Sequence, residues 1–350
     1  MAQQSSAANL AAGVSIVSLF TLTSLAWAQP SANIPSYGLI GQFSLPQGAW
    51  DVGPDGRIWQ IRGNNIFVQT APNSPAFSQR GSLPAGLIAS FGGGAPTASF
   101  LRISPSGSTL AIGDNNFSAA ASVLFVDVAS LSTAVSSTVS SVLSPNFDAA
   151  WDGNQLYVTG ADSASFNSQL GRISFASGGG TPVRSTLITD IGFASGGVAI
   201  RGGTIYTGTG FGSSAAVPTG QIRSFASNQL TGVPNVAFSS GPIVAAALSA
   251  SPLGFDAAGN LLVGGGEFDP ASPNRGYLAI IDPALPASSS WLTLSPGGSA
   301  INYSGIFNDA TGELLVAGGG TVWRYAIPAP SAAALLALGG VLATRRHRAC

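Results

Sequence analysis

A unit of about fifty residues recurs six times along this 350-residue chain, and repetition at that period calls for stacked copies of one small substructure. The repeat is anchored on turn glycines: Gly56 in AWDVGPDGRIW, Gly107 in LRISPSGSTLAI, Gly153 in AAWDGNQLYV, Gly202 in GVAIRGGTIYT, Gly259 in LGFDAAGNLLV and Gly312 in IFNDATGELLV. Their separations are 51, 46, 49, 57 and 53 residues. Each unit runs an apolar segment into a polar Gly turn and resumes with Ile or Leu two or three residues later. That pattern predicts a β-hairpin with a short turn.

A second apolar wave follows each hairpin, at residues 66–68, 123–126, 170–175, 222–225, 277–281 and 322–325. A weaker third wave follows at 77–83, 135–143, 183–191 and 291–294, and most faintly at 236–238. Four short strands per unit of this length predict the blade of a β-propeller. The sixth unit lacks its fourth strand, whereas a spare strand, residues 37–45, precedes the first unit. Inserting the spare strand as the outermost strand of the last blade closes the ring and covers two sheet edges at once. The expected fold is therefore all-β: a six-bladed β-propeller over residues 29–326, closed by its N-terminal strand. A β-helix would show tighter coils, and a pair of sandwiches would lack the repeat.

The turns Asp51-Val52-Gly53-Pro54-Asp55-Gly56 and Asp256-Ala257-Ala258-Gly259-Asn260 resemble those of NHL-type and lactonase-like six-bladed propellers. The pattern is shared by propellers of many functions, so the resemblance implies the fold and not the chemistry.

Composition narrows the chemistry instead. The chain has no lysine, and its one His and one Cys are His347 and Cys350, both at the C-terminal end. Ser-His-Asp, Cys-His and Schiff-base catalysis, and zinc sites built on His or Cys, are thereby excluded from the body. One cysteine closes no intrachain disulfide. Ten arginines against 14 acids leave the body at a net −4 without a basic run, which argues against a nucleic-acid partner.

Both ends lie outside the repeat. Residues 13–25 (GVSIVSLFTLTSL) are apolar and lead into Ala26-Trp27-Ala28, the small-x-small pattern of a signal-peptide cleavage site after Ala28, so residues 1–28 are expected to be removed on export. No Lys or Arg precedes the apolar run. At the other end, residues 327–350 read Ile327-Pro328-Ala329-Pro330, then an uncharged segment 331–344, then Arg345, Arg346, His347 and Arg348. As a helix, residues 331–343 span about 20 Å, short of the roughly 30 Å of a bilayer core, with the terminal arginines favouring the cytoplasmic side. The order of these parts resembles the PEP-CTERM sorting tail, with Ala329 standing where that family has Glu. The resemblance covers about 23 residues and implies export, transient membrane anchoring through the tail, processing by an exosortase and an association with surface polysaccharide.

The candidate site is set by loop lengths. Turns joining first and second strands share one face of a propeller, where Asp51, Asp55, Asp152 and Asp256 are expected to cap their own backbones. Connections between second and third strands share the other face. They are short near 62–64 and 317–320, but long at 113–121, 160–168, 208–219 and 264–275. Four adjacent long loops would raise a wall on one side of the mouth, carrying Asp114, Asn115, Asn116, Asp162, Glu267, Asp269 and Arg275. No resident cofactor is called for; hard oxygens of this kind suit Ca²⁺. Gly-Gly-Gly runs at Gly92, Gly178, Gly264 and Gly318 open no helix and precede no Lys, so they are not phosphate cradles. Trp50, Trp59, Trp151, Trp291 and Trp323 fall on strand positions that favour packing over sugar stacking. The reading that results is an exported, non-catalytic binding propeller. Its alternative is a metal-dependent, lactonase-like hydrolase with carboxylates in the mouth.

Overall fold

The computed structural model describes residues 33–34, 36–88, 97–114, 123–131, 135–139, 146–161, 168–175, 182–192, 195–210, 220–230, 235–246, 249–250, 252–266, 276–285, 290–295 and 303–327. The expected signal segment with Ala26 and Ala28, and the expected sorting tail with Pro328, Ala329, Pro330, Arg345, Arg346 and Arg348, lie outside them.

Six sheets of four or five strands, antiparallel but for one edge pair in blade 3, form a six-bladed β-propeller. From the inside outwards, blade 1 comprises Ala49–Val52, Ile58–Arg62, Asn65–Gln69 and Phe77–Ser82. Blade 2 comprises Ala98–Ile103, Thr109–Asp114, Val123–Asp127 and Val135–Val139. Blade 3 is built of Asn146–Asp152, Gln155–Ala161, Ser168–Ser174 and Val183–Thr189. In blade 4 the strands are Ser195–Arg201, Thr204–Thr209, Gln221–Ala226 and Ile243–Ala246. Blade 5 takes Leu253–Phe255, Leu261–Gly266, Gly276–Ile281 and Ser290–Ser295. Blade 6 takes Ser304–Asn308, Glu313–Gly318 and Thr321–Ala326, and then the N-terminal Tyr37–Ser44. The inner strands neighbour one another in the cyclic order 1-2-3-4-5-6-1, so the ring is closed.

Closure is by the spare strand. Tyr37–Ser44 pairs antiparallel with Thr321–Ala326, from Gly38 opposite Ala326 to Ser44 opposite Thr321. A short strand, Asn33–Ile34, lies outside it.

The six repeat glycines share one conformation, with φ between +56° (Gly153, Gly202) and +93° (Gly259). At Gly56 the turn needs this left-handed backbone, and a Cβ would also come within 2.9 Å of Ala310 Cβ in the adjoining turn. The sequence period is thus a period of positive φ.

Strand side chains alternate between faces, and a blade has a neighbour on each face, so both faces are apolar. Blade 2 shows the division: Leu124 and Val126 pack towards blade 1, whereas Val123 and Phe125 pack towards blade 3. One buried apolar cluster fills each of the six seams.

One strand differs from expectation. Val236–Ala237 is not the outer strand of blade 4; it pairs in parallel with Val183–Thr189 on the edge of blade 3. The chain crosses there after a 3₁₀ turn at Ser227–Leu230, buries Phe238 in the seam between blades 3 and 4, and returns to make Ile243–Ala246. Burial of Leu230 and Phe238 drives the detour, which covers an edge that would otherwise be open.

Candidate functional site

Loop lengths follow the expected asymmetry. Two residues separate the second and third strands in blade 1 (Arg62 to Asn65) and in blade 6 (Gly318 to Thr321), against 8 in blade 2 (Asp114 to Val123) and 11 in blade 4 (Thr209 to Gln221). Of the residues placed on that wall, Asn115, Asn116, Asp162, Glu267, Asp269 and Arg275 lie outside the described residues. Asp114 is described: it ends the second strand of blade 2, is buried, and its carbonyl accepts from Asn146 Nδ2 at 3.5 Å. Among the described residues no group of three or more His, Cys, Asp or Glu could hold a metal ion.

On the opposite, turn-bearing face, Asp256 caps its own turn, accepting from Asn260 N at 2.8 Å and Nδ2 at 2.9 Å. Asp55 accepts from Arg57 N at 3.1 Å and pairs with Arg57 Nε at 2.6 Å. Asp51 behaves differently. It belongs to the inner strand of blade 1 and reaches across the seam, where Oδ2 accepts from Ile103 N of blade 2 at 2.8 Å.

Asp51 is the first member of a chain of contacts running across four inner strands. From blade 2, Arg102 donates through Nε to Ala149 O (2.8 Å), through Nη1 to Leu101 O (2.9 Å) and Trp50 O (3.4 Å), and through Nη2 to Asp148 Oδ1. Asp148, on blade 3, also accepts from Ala149 N at 2.8 Å and, through Oδ2, from Val198 N of blade 4 at 3.1 Å. Beside it, Thr159 donates to Gly196 O at 2.6 Å. Glycine at 197 is required by this packing, because a Cβ there would sit 2.6 Å from Leu253 N and 2.8 Å from Asp148 Oδ2.

Asp148 thus binds the Arg102 guanidinium directly, and Asp51 lies near enough to feel its charge. Burial pushes both Asp51 and Asp148 above the ordinary carboxylate range, against the opposing pull of Arg102 and the backbone N–H groups. Arg102 and Asp148 are not among the residues that loop lengths and turn motifs single out. Both occupy the position five residues before a repeat glycine, as Asp51 does, and aligning the units by those glycines brings them into one column.

This cluster underlies a cavity of about 380 Å³ at the mouth on the turn-bearing face. Asp51 and Arg102 line it, Trp151 and Phe307 supply its aromatic surface, and Pro54 and the exposed Asp309 reach it from the turns. Trp151 is half-buried, stacked on Phe175 (centroids 6.2 Å, 20° between planes) and donating from Nε1 to Arg102 O at 3.3 Å. A second cavity, about 460 Å³, opens on the other face between blades 6 and 1, where the short loops leave a gap. Its lining includes Gly318, Gly319 and Gly320, with Gln47 and Trp50. Trp59 and Trp323 are buried in seams, as expected from their strand positions. Trp50 and Trp151 are only half-buried and reach the two cavities.

No protein-family model matches the sequence, and no curated protein matches it. Among solved structures, the chain is similar to hydrazine synthase of Kuenenia stuttgartiensis, at 14% identity over 78% of this chain and 74% of that one, with a TM-score of 0.48. It is also similar to the β-propeller domain of Myceliophteria thermophila Cps50 (Swd1), at 11% identity over 83% of this chain and all of that one (100%), with a TM-score of 0.46. Neither likeness bears on function.

Proposed function

We propose that this chain is an exported, surface-associated propeller that binds an extracellular component, polysaccharide foremost, and does not transform it. The observation that carries the reading is the commitment of the axial carboxylates to the ring itself. Asp51 holds Ile103 N, and Asp148 holds Arg102, Ala149 N and Val198 N. A hydrolytic metal needs carboxylate oxygens turned towards an open coordination position. Here, moving Asp148 to a metal would take the paired carboxyl from Arg102 and break its contacts to two neighbouring blades. The cavity above the cluster offers aromatic surface and fixed polar groups, the usual furnishing of a recognition site.

Export and anchoring are supported by the two terminal segments: the small-x-small site at Ala26 and Ala28, and the tail from Pro328 to Arg348. In this reading the tail holds the protein in the membrane until an exosortase acts near Pro330. Calcium, if it binds at all, does so at the wall of long loops around Asp114 and serves structure.

Calorimetric titration of the propeller with Ca²⁺, run beside a lactone-hydrolysis assay, tests the binding reading against the hydrolase. We expect no metal-dependent turnover, with or without a calcium heat. Tight calcium binding accompanied by turnover that disappears on chelation would replace binding with catalysis.

A further inference from the structure

The turn-face mouth has a charge and shape that select among the ligands a binding propeller can take. We propose that it is a subsite for an amine-bearing sugar, a hexosamine whose nitrogen is free and protonated, within an extracellular glycan. The inference rests on the binding reading above and specifies where and what.

The cavity, about 380 Å³, lies at the small end of ligand-binding clefts, which suits one or two sugar rings. Trp151 and Phe307 contribute flat apolar surface to its lining. Sugar rings present C–H faces to such surfaces, and a cation near the face of Trp gains further from the ring quadrupole.

The charges decide the sign of the ligand. Asp51 and Asp309 both line the cavity, and Asp148 lies behind Arg102. Among the described residues Arg102 is the one cation of the lining, and it has little to offer an anion. Its Nε, Nη1 and Nη2 already donate to Ala149 O, Leu101 O, Trp50 O and Asp148, which occupies four of its five N–H groups. A uronic acid or a phosphorylated sugar entering the mouth would meet uncompensated carboxylate. An ammonium would meet the exposed Asp309 at the rim and Asp51 at the floor. A protein lysine carries the same charge on a flexible stem but lacks a ring to lay against Trp151 and Phe307.

The test uses the propeller and four probes of equal length: a glucosamine tetramer, its N-acetylated counterpart, a uronic acid tetramer and tetralysine, measured by calorimetry at pH 6. The expected order places the glucosamine tetramer first by at least tenfold. Asp309 is exposed, so changing it leaves folding intact; Asp309→Asn is expected to weaken glucosamine binding several-fold and Asp309→Lys by about tenfold or more. Trp151→Phe should retain most of the affinity, whereas Trp151→Ala should lose it with the circular dichroism spectrum unchanged. Equal or tighter binding of the acetylated, acidic or lysine probe would overturn the proposal. So would glucosamine binding indifferent to every change at Asp309 and Trp151, although the protein would remain a glycan binder. Failure of folded wild type to bind any of the sugar probes would remove both the subsite and the polysaccharide reading.

Discussion

Asp148 is where the axial contacts converge: it meets the guanidinium of blade 2, the backbone of its own strand and the backbone of blade 4. Replacing it by Ala removes the acceptor of both Arg102 Nη2 and Val198 N, a loss of about 3 kcal/mol or more. We therefore expect Asp148→Ala to lower the unfolding free energy by that amount, seen as a lower urea midpoint at an unchanged denaturant slope. Asp51 and Asp148 also predict a pH dependence. Their native pKa values stand above the ordinary 3.8, so the folded chain keeps a proton that the unfolded chain has released. That contribution is complete below 3.8 and is lost as pH rises through the native values. Stability, followed by urea titration, is expected to decline as the pH rises above 3.8, and Asp51→Asn should flatten the slope. Legibility at this scale was uneven. Turn acids such as Asp256 declare their capping role by position alone. The axial cluster does not, because Asp148 and Arg102 sit some 46 residues apart in sequence and meet only when the ring closes. A trace existed in the aligned repeats, where Asp51, Arg102, Asp148, Gly197, Gly254 and Phe307 each fall five residues before the turn glycine.

Among the strands, Tyr37–Ser44 has the largest consequence, since it gives blade 6 its fourth strand and ties the start of the ring to its end. Phe43 and Leu45 fill the seam between blades 6 and 1 together with Leu315, Ala317 and Val322. Phe43→Ala is expected to cost about 3 kcal/mol by emptying part of that seam, and differential scanning calorimetry should register the loss. The same kind of packing explains which strands could be read in advance. Inner, second and third strands carry buried residues against two neighbours, and a left-handed glycine marks each turn from inner to second strand, so pattern and punctuation agree. Outer strands carry a weaker signal. Ile243–Ala246 buries Val244 as its one fully covered side chain, while Ile243 and Ala246 face solvent. The apolar Val236 to Phe238 stretch competes with it, and its apolarity serves the neighbouring blade. A pattern of polarity identifies a buried strand but not the sheet that buries it.

At the scale of the molecule, six seams of similar make leave no single core, and the position of every loop depends on how the ring is closed. Closure also decides which way the chain ends point. Ala326 pairs with Glu313, just beyond the first turn of blade 6, and with Gly38, so the chain both enters and leaves the propeller on the turn-bearing face. On the proposal that the tail anchors the chain in a membrane, the long loops would turn outward and the Asp51–Arg102 mouth would lie towards the bilayer. All of this depends on Tyr37–Ser44 lying against Thr321–Ala326 in the observed register, where Ser44 faces Thr321. Cysteines placed at those two positions, in a chain whose Cys350 is changed to Ala, are close enough to bond across an antiparallel pair. Under mild oxidation of the native protein we expect a disulfide, seen as loss of both reactive thiols and a higher melting temperature; two thiols that stay free and alkylatable in the folded protein would contradict closure by the N-terminal strand.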